Sequence, residues 1–112
     1  MEKIAQHKSI VKEELAYYQS IKIYNAPQLA RHLIINATET EFLLMDVGWF
    51  KDRYISDLVF HLEIKNDKVW VHADNTDIEI AEKLAQAGIP KSDIGLAFVP
   101  SYAKDMVEYA VM

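Results

Sequence analysis

Apolar residues at Ile4, Val11, Leu15 and Tyr18 recur at helical spacing, and Ile10, Tyr17 and Ile21 widen the stripe. Glu2, Lys3, Lys8, Lys12, Glu13 and Lys22 mostly take the opposite side. This pattern predicts an amphipathic helix from Glu2 to about Tyr24. Asn25-Ala26-Pro27 should stop it, because proline disfavours a helical residue before it. The pair Tyr17-Tyr18 lies on the stripe and reads as packing rather than as a recognition surface.

From Gln28 to Asp74 the pattern changes to β-branched and aromatic runs: Leu29–Ala37, Phe42–Trp49, Ile55–Lys65 and Lys68–Ala73. The connections Thr38–Glu41, Phe50–Arg53 and Asn66-Asp67 are too short for parallel crossovers, so the strands are expected to form an antiparallel meander. A second helix is expected from Thr76, where Thr76-Asp77-Ile78-Glu79 fits a capping box. Ile80, Leu84 and Ala87 form its apolar stripe, with Ile78 and Ala81 at the edges. Gly88 is placed as its left-handed terminator, with Ile89 packing back and Pro90 preventing continuation. Lys91-Ser92-Asp93 reads as a turn. The apolar run Ile94–Val99 reads as a fifth strand or a buried extended segment. Between Ser101 and Met112, Tyr102–Glu108 has helical character and Tyr109-Ala110-Val111 extended character. The expected class is α+β, as one domain over residues 1–112. It comprises an N-terminal helix, a four-stranded meander, a second helix on one sheet face and a short C-terminal strand or helix.

Strand registers translate this pattern into faces. A two-residue loop at Asn66-Asp67 pairs Ile64 with Val69 and Leu62 with Val71, and Phe60 and Leu58 continue that core side. One residue out of phase, Glu63 meets Trp70 and His61 meets His72 on the opposite side. Pairing Trp49 with Tyr54 extends the core side to Leu43, Met45, Val47 and Trp49. It places Phe42, Leu44, Asp46 and Gly48 on the outer side, beside Val59 and Asp57. The expected outer face therefore carries Phe42, Leu44, Val59, His61, Glu63, Trp70 and His72. A sheet face that apolar is rarely left in water, and a second copy of the chain is the expected cover.

Composition narrows the chemistry. The chain has 112 residues, 51% hydrophobic and 26% charged, which suits one folded domain and excludes disorder. Twelve Lys and Arg against seventeen Asp and Glu leave a net charge of −5. Nucleic-acid binding draws most of its affinity from phosphate neutralisation, and the basic residues form no stripe, so direct DNA binding is not expected. The absence of cysteine excludes thiolate catalysis and Cys-type zinc sites. The N-terminus lacks the apolar segment of a signal peptide, and the longest apolar run is too short to span a bilayer. A cytoplasmic protein without membrane contact is expected, and the sequon Asn36-Ala37-Thr38 is read as coincidental.

Two constellations invite chemistry. His61, His72 and Glu63 could ligate zinc, although a hydrogen-bonded histidine pair at a half-buried interface is the plainer reading. Such a pair could also make assembly sensitive to pH. Asp46 and Asp57, facing each other, suggest paired-carboxylate chemistry, but solvated cross-strand carboxylates are the plainer reading. The three glycines, Gly48, Gly88 and Gly95, are too dispersed for a phosphate loop. No catalytic constellation, cofactor or metal site is assigned.

The order of short motifs along the chain resembles the XisI-like family, named for the excision controlling factor of the fdxN element. The residues that carry the resemblance are Val47-Gly48-Trp49, Arg53 and the hairpin His61–Val71. They continue through Thr76-Asp77-Ile78, Ala81–Leu84 and Ala87–Ile94, and end with Phe98 and Tyr109-Ala110-Val111. Asn66-Asp67 stands where an aspartate-glycine turn is more typical. The resemblance implies a small α+β protein of cyanobacterial type, a non-enzymatic factor controlling programmed DNA excision through protein–protein contacts. It also implies an XisH-like, nuclease-fold partner and supplies no catalytic residues. The alternatives are a DNA-binding regulator, or a small ligand- or metal-binding domain using His61, His72 and Glu63.

Overall fold

The computed structural model describes residues 2–21, 28–100, 102–103 and 109–110. Helix α1 (Glu2–Ser20) precedes strands β1 (Leu29–Ile35), β2 (Glu41–Phe50), β3 (Arg53–Lys65) and β4 (Lys68–Asp74). Helix α2 (Ile80–Gln86), a 3-10 turn at Lys91–Asp93 and strand β5 (Ile94–Leu96) follow. The sheet order is β1-β2-β3-β4-β5, antiparallel from β1 to β4, with β5 parallel to β4. A parallel neighbour needs a crossover, and α2 with its 3-10 turn is that crossover. The fold is α+β, both helices packing on one face of a mixed sheet. Beyond β5, Ala110 adds a parallel bridge to Gly95, so the extended character expected near Tyr109 is present there. Tyr102 and Ala103 lie in a 3-10 turn, while residues 104–108 of the expected tail helix are outside the described residues.

Helix α1 buries Val11, Leu15 and Tyr18 against the sheet, with Ile4 and Ile10 partly buried beside them. Tyr18 meets Phe60 edge-on at 5.7 Å between ring centroids. Burial raises the Tyr18 hydroxyl above its ordinary pKa, and the negative charge of Glu14 adds to the shift. Three details differ from the periodicity. The helix ends at Ser20 rather than near Tyr24, and the stop expected at residues 25–27 is outside the described residues. Tyr17 and Ile21 are 60% and 41% exposed, so they do not widen the buried stripe. His7 does: it is buried one turn before Val11, with Nε2 3.3 Å from Asp93 Oδ2. Lys3 Nζ also reaches Asp93 Oδ2, at 3.1 Å, so the start of α1 is clasped to the turn before β5.

The β3–β4 hairpin has the expected register, Ile64 opposite Val69 and Leu62 opposite Val71. Asn66 and Asp67 both have positive φ, 56° and 62°, as a two-residue turn matched to strand twist requires. Trp49 opposite Tyr54 is likewise observed. Between those fixed points each ladder contains an irregularity. In β2–β3 the register shifts between Leu44 and Met45, leaving Val59 as the extra residue of a bulge. Asn75 secures it: its backbone N–H donates to Val59 O at 3.0 Å and its Nδ2 to Leu58 O at 2.9 Å.

That one residue reverses the expected parity of β2. Phe42 pairs with Leu62 and Leu44 with Phe60, and all four are fully buried in the core with Val59. The assignment of Phe42, Leu44 and Val59 to the outer face is therefore corrected: they are core residues. Leu43, Met45, Val47 and Trp49, expected inside, lie on the outer face instead, and Leu58 joins them opposite Met45. Asp46, Asp57 and Gly48 accordingly move to the helix side.

The start of α2 is also corrected. The helix begins at Ile80, and the cap position is Glu79 in the left-handed region without a side-chain cap bond. Thr76 closes a local turn by accepting from the Ile78 N–H at 3.0 Å. Asp74, at the end of β4, is the organiser: Oδ1 accepts from the Thr76 N–H and hydroxyl, and Oδ2 from the Ile80 N–H at 2.8 Å. A carboxylate on the first helical amide does what the capping box was expected to do. The C-terminus matches expectation. Gly88 has φ 121°, its N–H donates to Ala85 O, and the N–H of buried Ile89 donates to Leu84 O.

Candidate functional site

With both helices on one face, no described element covers the other face of the meander. Its residues follow from the ladder: Ala30, His32 and Ile34 on β1, then Leu43, Met45, Val47 and Trp49 on β2. Tyr54, Ser56 and Leu58 continue it on β3. Ile34, Trp49 and Tyr54 are 47%, 51% and 58% exposed, and the two aromatic rings meet edge-on at 5.4 Å. Leu43, Met45, Val47 and Leu58 are half-buried and do not belong to the core cluster. This stretch contains no Asp, Glu, Lys or Arg. A continuous apolar surface of this kind marks an interaction site on a folded domain.

One end of the same face is polar. Glu41 lies opposite Glu63, and the His61 and His72 rings stack at 4.7 Å between centroids. His61 pairs with Ala73 rather than with His72, because a second register shift follows His61. The displaced His72 still covers its neighbour's ring. His61 Nε2 donates to Glu41 Oε1 at 3.0 Å, and His72 Nε2 to Glu63 Oε1 at 2.7 Å. The two Nε2 atoms are thus turned to different carboxylates. No three His, Asp or Glu side chains among the described residues are grouped to hold a metal ion.

Trp70 is opposite Glu63 and on the outer side, as expected, but it is not available to a partner. It is buried on Gly95 of β5, and its Nε1–H donates to Lys65 O at 3.0 Å. A glycine beneath the indole is a steric requirement: a Cβ at Gly95 would overlap Cε3, Cζ3 and Cδ2 of the ring.

Asp46 and Asp57 are opposite each other, as expected, but on the helix side. There Arg31 Nε donates to Asp46 Oδ1 at 2.9 Å, and Nη1 to the Tyr18 carbonyl at 2.9 Å. Asp46 is therefore half of an ion pair that ties β1 and β2 to the end of α1. Both aspartates border a polar cleft of about 600 Å³, closed on its other side by Asn75, Thr76 and Asp77. The described basic residues are dispersed over α1, β1, the strand turns, α2 and the 3-10 turn. Lys3, Lys12, Arg31 and Lys91 are each in an ion pair. Among the described residues no helix is long and apolar enough to cross a membrane.

The family model described as XisI protein matches residues 1–111. The chain belongs to the XisI family. Two solved structures from Anabaena variabilis ATCC 29413 share its fold. A XisI-like protein superposes with a TM-score of 0.86 at 29% identity, covering 96% of this chain and 98% of the other. The fdxN element excision controlling factor XisI superposes with a TM-score of 0.75 at 26% identity, covering 96% and 97%. No curated protein matches the sequence. The resemblance read from the hairpin and the Ala87–Ile94 segment is thereby established over nearly the whole chain.

Proposed function

We propose that this XisI-family chain is a non-enzymatic accessory factor in the control of programmed DNA excision, acting through protein–protein contacts. The observation that carries this reading is the open apolar sheet face on a chain of net charge −5. Such a surface is recognised by other protein surfaces, whereas DNA binding needs a basic one. The dispersed and paired lysines and arginines support the same distinction. The family member named as the fdxN element excision controlling factor supplies the process, and an XisH-like nuclease-fold protein is the proposed partner.

Co-expression with an XisH-like protein, followed by light scattering of the purified material, tests this. A hetero-complex of defined mass is expected, together with no salt-sensitive shift of DNA by this chain alone. Separate elution of the two proteins, or sequence-selective DNA binding by this chain, overturns the reading.

A further inference from the structure

We propose that the open sheet face is the contact with a second copy of this chain. The proposal shares with the preceding reading only the premise that this face contacts protein.

The occupant follows from charge and area. Two copies of a chain carrying −5 repel unless they meet where charge is absent, and the stretch from Ala30 through Met45 and Trp49 to Ser56 is uncharged. A basic partner would find no carboxylate there to pair with. β2 has 10 residues, so the face is about 33 Å long and three to four strands wide, on the order of 500 Å² in projection. Side-chain relief enlarges this toward the roughly 800 Å² per partner of a stable interface. A face of one uniform apolar character is also self-complementary, as a two-fold contact requires.

The test is sedimentation equilibrium of this chain near neutral pH. A dimer is expected. Trp49→Glu and, as an independent exposed position, Ser56→Arg should each weaken it at least about tenfold while the unfolding transition is retained. A monomer at concentrations on the order of 100 µM overturns the proposal. So does a dimer indifferent to both face variants. A monomer that still binds the XisH-like protein overturns this proposal and leaves the excision reading standing. A dimer that ignores that protein does the reverse.

Discussion

Gly95→Ala is the most direct probe of how β5 is held. The added methyl would stand well inside the contact distance of three atoms of the Trp70 ring, which is itself buried. β5 is only three residues long, and among the described residues its contact on the other edge is one bridge to Ala110. The indole must tilt away, which breaks its hydrogen bond to Lys65 O. Overpacking a buried site costs about 1–3 kcal/mol. The lost hydrogen bond adds about 0.5–1.5 kcal/mol. The expected destabilisation is therefore about 2–4 kcal/mol, read as a lower urea midpoint with unchanged slope. Intrinsic tryptophan fluorescence should report the same transition, because Trp70 leaves a buried site on unfolding. A double-mutant cycle isolates the cause. In a Trp70→Ala background the methyl meets empty space, so Gly95→Ala should cost less than about 1 kcal/mol there. A single-variant loss below about 0.5 kcal/mol, or equal losses in both backgrounds, would refute the steric argument.

Three further outcomes are expected. Gly48 has φ 141°, and a Cβ there would meet the backbone carbonyl of Gln28; Gly48→Ala should cost at least about 2 kcal/mol in urea unfolding. Phe42→Ala should cost about 3–5 kcal/mol, as removal of a fully buried ring does. Trp49→Ala at low protein concentration should cost no more than about 1.5 kcal/mol, and the opposite ranking would show that the face assignment of β2 is reversed. The third outcome concerns acid. The Lys12 ammonium, by hydrogen bond and by charge, holds Glu39 below the ordinary 4.5, and the Tyr109 hydroxyl, followed by Lys91, does so for Glu82. Both carboxylates are lowered in the folded state, so the unfolded chain binds more protons on acidification. Their stabilisation is present above about pH 4.5 and is lost as pH falls below it. Melting temperatures taken from neutral pH down to about pH 3 should fall less steeply for Glu39→Gln and Tyr109→Phe than for the wild-type chain.

Local signals were enough to place both helices, the four meander strands, the Asn66-Asp67 hairpin and the Gly88 terminator. Each depends on a few adjacent residues: a periodicity, a pair of positive φ angles, or a glycine that can adopt a left-handed conformation. The family resemblance was legible for the same reason, since it rests on short motifs in order. Which side of the sheet each β2 residue occupies was not. Register propagates from a turn only until one extra residue intervenes, and the bulge at Val59 is held by Asn75, a residue from beyond the next strand. That contact exchanged Phe42 and Leu44 for Leu43, Met45, Val47 and Trp49 on the open face. His7 escaped notice because a histidine at a core position is recognised only once Asp93 is beside it. Asp74, six residues before the amide it caps, escaped for the same reason. Short-range stereochemistry is written in neighbouring residues, but the choice of open face was made by contacts between residues far apart in the chain.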